Sequence, residues 1–150
     1  MPSSRHPMLA AILWGGLVAG TIDIGAATLI SGASPIVILK YISGGLLGKG
    51  ALAGGADIAT LGMILQWLMS LLIAATFVLA VGRRVAATKQ WPVWGVLYGA
   101  VIFAVMNYAV VPLSAWHKMP HFSTFSFIAN LAAMLLFGWI IALFARTKLR

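Results

Sequence analysis

Cysteine and glutamate are both absent from this chain of 150 residues, and its only acidic residues are Asp23 and Asp57. Without cysteine there is no disulfide, no thiol nucleophile and no cysteine metal site. Charge of either sign is scarce: charged residues make up 8% of the chain, against about 25% in a soluble domain. With 62% hydrophobic residues and a mean hydropathy of +1.03, the chain cannot cover a water-facing surface and is read as an integral membrane protein. Its length suits one compact bundle rather than two domains. Catalytic signatures are missing too: there is no H-E-x-x-H, no G-x-S-x-G, no phosphate-cradling loop and no pair of neighbouring carboxylates. With one acid in the spans and no histidine there, general acid–base chemistry lacks its second group. No enzyme activity and no cofactor are therefore expected. The tryptophans read as interface belts or packing residues rather than a cofactor box.

The ten Lys and Arg residues, against two acids, give a net charge of +8. They are scattered along the chain instead of forming a patch, which argues against nucleic acid. Basic residues flanking apolar runs set topology and meet anionic headgroups, so the bilayer is the expected partner.

Residues 1–7 form a short polar tail with Arg5 and His6. An apolar run follows from about residue 9 to 31, long enough at 1.5 Å per residue to cover roughly 34 Å. Ser31, Gly32 and Ala33 have the small side chains of a leader-cleavage site. The run is nevertheless longer than a leader's apolar core and carries Asp23, so it is read as a first span. Ser34 followed by Pro35 reads as an N-cap and first helical position. The helix it opens, about 35–47, is too short to cross a membrane and fits an interfacial or re-entrant helix. Lys40 and a break at Ser43-Gly44-Gly45 interrupt it, and a glycine-rich connector follows to Gly55. The connector is either a flexible re-entrant loop over a site or a link lying among headgroups.

Asp57 is expected to cap a second span, about 58–82. Pro92 begins a third, about 92–113, and Ser123 a fourth, about 123–145. Seven basic residues (Arg5, Arg83, Arg84, Lys89, Arg146, Lys148 and Arg150) fall on the side of the termini, and Lys40, Lys49 and Lys118 on the other. The positive-inside rule then puts both termini in the cytoplasm. The expected fold is all-α: an integral membrane four-helix bundle of a single transmembrane domain, with the extra short helix between spans 1 and 2.

The spans hold four strongly polar residues: Asp23, Gln66, Asn107 and Asn130. Measured from span midpoints near about residues 20, 70, 103 and 134, all four fall in one layer, roughly 5–6 Å beyond the membrane centre. Each also lies on a stripe of small residues: Gly16, Gly20 and Ala27; Ala59, Gly62 and Ser70; Ala100 and Ala104; Ser123, Ser126 and Ala133. Small residues mark helix–helix faces in membranes, so the four are expected to meet as a binding cluster.

An ionisable group at membrane depth is expensive and usually marks a functional site. Two roles stay open. The layer is either a proton, cation or polar-solute site titrating at Asp23, or structural glue in which amides satisfy a protonated Asp23. His117 and His121, spaced like two helical metal ligands, have Pro120 between them and no acid nearby; a solvated loop is expected there and no metal site.

Three stretches, Gly15 through Asp23, Ser34-Pro35 through Gly55, and Leu97 through Asn107 to Ser114, together resemble a group of small bacterial four-span inner-membrane proteins. The resemblance implies the bacterial inner membrane and four helices. It brings no catalytic or binding residue with it. The function expected is transport-type, in an oligomer whose pathway runs between subunits. The alternative is an accessory protein that binds a partner membrane protein through exposed small-residue faces such as Gly44-x-x-x-Gly48 and Gly50-x-x-x-Gly54.

Overall fold

The computed structural model describes residues 5–116 and 123–149, which are mostly helical with no strand among them. The elements are α1 (Arg5–Ser31), α2 (Pro35–Leu47), a 3₁₀ turn (Lys49–Ala53), α3 (Ala56–Ala86), α4 (Trp91–Leu113) and α5 (Thr124–Leu149). Within α1, α3, α4 and α5, apolar stretches of 25, 31, 23 and 26 residues are long enough to cross a membrane. The expected all-α fold with four such helices is found; His117 and His121 lie outside the described residues.

Local chemistry sets the helix ends. Ser34 caps α2 as expected, its hydroxyl accepting the Val37 N–H at 3.3 Å, with Pro35 at the first position. Ser123 does the same for α5, accepting the Ser126 N–H at 3.1 Å. Asp57 departs from expectation. Helix α3 starts at Ala56 with Gly55 as N-cap and no side-chain capping bond, so Asp57 sits inside the first turn, where only its interaction with the helix dipole remains. The expected break at Ser43-Gly44-Gly45 is also absent: α2 runs unbroken to Leu47, because Ser43 and Gly44 are its buried contact face rather than a weak point. Helix α5 extends past the expected end to Leu149. There the Arg146 guanidinium donates to the Ala86 and Thr88 carbonyls at 2.9 and 2.8 Å, tying α5 to the end of α3.

The long helices alternate in direction, so both termini lie at one end, here called the base; α2 lies at the opposite end, the top. Helix α5 is flanked by α4 on one side and α1 on the other, α3 packs on α1, and α2 packs on α3. The contact between α4 and α5 is made by glycines. A Cβ on Gly138 would run into the Gly95 carbonyl and lie 2.5 Å from the Gly99 nitrogen; one on Gly99 would strike the Met134 carbonyl. Backbone therefore meets backbone, the close approach that small residues permit between membrane helices. Gly16 and Gly20 admit α3 in the same way, at Leu71 and Ser70. The packed apolar core, including Ala11, Ala74, Phe77, Phe137, Ile141 and Ala145, lies towards the base.

Helix α4 contains one widened turn, Met106–Val110. Pro112 accounts for it. Proline has no N–H to give the preceding turn, and its ring crowds the carbonyl four residues back, that of Tyr108. The turn opens, and the Val111 N–H reaches the Met106 carbonyl five residues earlier.

Candidate functional site

Asp23 and Gln66 meet. The Gln66 amide nitrogen donates to the Asp23 carboxyl (Oδ2) and to the Gly20 carbonyl, each at 3.1 Å. Both bonds depend on the stripes of small residues: with no side chain at Gly20, α1 comes against Ser70 and Trp67 and brings the Gln66 amide within reach of α1's backbone. A further link, from Trp67 Nε1 to the Thr21 hydroxyl at 3.1 Å, lies beside it.

The other two polar residues are not joined to this pair. The Asn107 amide donates to the Phe103 carbonyl of its own helix at 2.9 Å. The Asn130 amide donates to the Ser126 carbonyl at 2.7 Å and to the Ser126 hydroxyl at 3.2 Å, again within one helix. Their expected facing assumed regular helices converging at one level. Asn107 instead sits in the widened turn, where a regular 100° step per residue no longer holds, and Ala104 of its supposed stripe is exposed. The buried face of α4 is Gly95, Gly99, Ile102 and Phe103, and that of α5 is centred on Gly138, Ile141 and Ala142. In place of a four-membered cluster there is one acid–amide pair between α1 and α3.

That pair borders a cavity of about 500 Å³. Towards the base α3 and α4 are bridged: the Tyr98 hydroxyl donates to the Ile73 carbonyl at 2.6 Å, and its ring packs on Phe77. Towards the top they part, and a half-open cavity occupies the space between α1, α3 and α4, with α2 along one side. Asp23 and Gln66 lie in its wall with Met69 and Met106; most of the lining is apolar, and among the described residues no Lys, Arg or His contributes to it.

Helix α2 is fastened beside the cavity by contacts that the sequence reading did not anticipate. The Ser43 hydroxyl donates to the Ile58 carbonyl at 2.6 Å. Gly62 of α3 lies directly on the Leu39 backbone, with no room for a Cβ. From the other side, the segment after α4 reaches over. The Ala115 N–H donates to the Gly45 carbonyl at 2.8 Å, and Trp116 Nε1 to the Tyr41 carbonyl at 3.0 Å. The Trp116 ring stacks on Tyr41 at 4.6 Å and covers Gly44. Gly32 and Gly48, at either end of α2, have φ of 74° and 82°, a left-handed conformation that glycine adopts without steric cost.

The small-residue patterns proposed as partner faces do not form helix surfaces. Gly44 is covered by Trp116, Gly48 lies past the end of α2, and Gly50 belongs to the 3₁₀ turn. The signal for Ser43 and Gly44 was in the sequence, since small residues inside an apolar helix mark close contact; the signal for Trp116 was not, because a tryptophan near a span end also fits an interface belt. No protein-family model, no curated protein and no solved structure matches the chain.

Proposed function

We propose that this chain is a bacterial inner-membrane protein of transport type, not an enzyme, with both termini in the cytoplasm and its site at Asp23 and Gln66. One observation carries the reading. The only carboxylate of the four long helices above their first turns borders a cavity of about 500 Å³, within the roughly 300–1,000 Å³ of small-molecule sites. A carboxylate serving only as glue is better satisfied by close packing than by a cavity wall, whereas a carrier needs such a group next to space. Asn107 and Asn130, whose amides bond to their own helices, are outside the site in this reading. The basic residues Arg83, Arg84, Lys89, Arg146 and Lys148 gather at the base, which the positive-inside rule assigns to the cytoplasm. The top then faces away from the cytoplasm, with α2 against the outer part of the bilayer, where its exposed Ile36, Val37, Leu46 and Leu47 meet lipid.

Reconstitution into liposomes tests this. Flux driven by a pH or cation gradient is expected from the native chain and lost in Asp23→Asn, with helicity retained. No flux above empty liposomes, together with co-purification of one membrane partner, would replace this reading with that of an accessory protein.

A further inference from the structure

The cavity's chemistry is one-sided. Among the described residues its wall offers one carboxylate and no cation, the polar groups of Gln66 and Ser114, an otherwise mostly apolar lining, two thioethers (Met69 and Met106) and the stacked aromatic pair Tyr41 and Trp116. A dehydrated inorganic cation takes about six or more oxygen ligands, and Asp23, Gln66, Tyr41 and Ser114 are the side chains of this mostly apolar lining that carry oxygen, too few to surround one. An anion would meet a carboxylate with no basic residue among the described lining residues to offset it. A neutral apolar molecule would fill the space but leave the carboxyl without a counter-charge. A monovalent organic cation with an apolar body satisfies every wall: its charge pairs with Asp23, its body replaces water against the apolar surface, and aromatic rings attract cations through their faces. Gln66 holds the carboxyl in the wall through its bond to Oδ2.

We propose that the cavity between α1, α2, α3 and α4 binds amphipathic organic monocations, with Asp23 as their counter-charge. The inference rests on the cavity being a binding site, as proposed above, and narrows what it takes.

The test is a binding measurement that needs no transport. Tetraphenylphosphonium and tetraphenylborate have nearly the same shape and opposite charge. Each is titrated calorimetrically into the full chain in detergent, with empty micelles as blank. The native chain is expected to bind the phosphonium and not the borate. Asp23→Asn is expected to weaken phosphonium binding by roughly thirtyfold or more, as loss of one member of a buried charge pair does. Asp23→Glu is expected to restore most of it. Equal binding of both ions, or an undiminished phosphonium affinity in folded Asp23→Asn, overturns the proposal, because the site would then select only for apolarity. Failure of the native chain to bind the phosphonium overturns it as well. If Asp23→Asn does not fold, the comparison of the two ions on the native chain and on Asp23→Glu still decides. Binding without liposome flux would leave this site standing and remove the transport reading; Asp23-dependent flux of inorganic cations without phosphonium binding would do the reverse.

Discussion

Gly138→Ala is a small change with a large expected effect. A Cβ built on Gly138 lies 2.8 Å from the Gly99 Cα, where ordinary contact begins at 3.4 Å, a shortfall of 0.6 Å; it also lies 2.5 Å from the Gly99 nitrogen and runs into the Gly95 carbonyl. All three obstacles are backbone atoms, so no rotamer change relieves them. Either α4 and α5 separate locally or both helices distort. Overpacking of this kind costs about 1–3 kcal/mol, roughly 5- to 150-fold in the folding equilibrium. Gly25→Ala is the matched control. It is the same substitution in a long helix, but the new Cβ meets nothing within 4 Å, and alanine is favoured over glycine inside a helix by about 0.5–1 kcal/mol. The two variants should therefore move in opposite directions when helicity is followed through a detergent unfolding titration. An unfolding midpoint for Gly138→Ala equal to that of Gly25→Ala would refute the backbone-contact account of α4 and α5.

Gln66→Leu removes both the bond to Asp23 and that to the Gly20 carbonyl; a loss of about 0.6–2 kcal/mol per interhelical bond is expected in the same titration, and unchanged stability would mean that the pair does not hold α1 to α3. Ser43→Ala removes the bond to the Ile58 carbonyl and should loosen α2. A cysteine placed at buried Ala51 in the otherwise cysteine-free chain should then react faster with a maleimide, and an equal rate in the two backgrounds would count against the fastening of α2. For topology, Gly50→Cys in intact cells should be labelled by a membrane-impermeant thiol reagent and Lys89→Cys only after lysis; the reverse pattern would invert the assignment of the base to the cytoplasm.

Much of the scaffold could be read from residue order alone. Four apolar runs of spanning length are hard to mistake, and Ser34-Pro35 marked the start of α2 because capping is a local property. Span ends were less legible. Helix α3 continues through Arg83–Ala86 and α5 through Arg146 because long basic side chains can remain helical at a span end while their charges reach out. For the site, depth and facing found Asp23 and Gln66, which sit in regular stretches of their helices and whose neighbouring glycines bring them close. The same reasoning misplaced Asn107 and Asn130 relative to them. A widened turn caused by Pro112 changes facing beyond what a constant helical step describes, and a polar amide in an apolar helix can be satisfied by its own backbone four residues back. The parting of α3 and α4, and with it the cavity, was not legible, since it depends on which pairs of helices touch.

In the proposed placement, α2 lies beside Ile58 and Gly62 and reaches only the first turns of α3. The molecule therefore has five helical cross-sections near one face of the bilayer and four near the other. With a helix about 10 Å across, the difference is about 80 Å². A body broader in one leaflet is wedge-shaped. Such a wedge displaces more lipid from the outer leaflet than from the inner, and its insertion energy depends on how each leaflet is curved and how tightly it is packed.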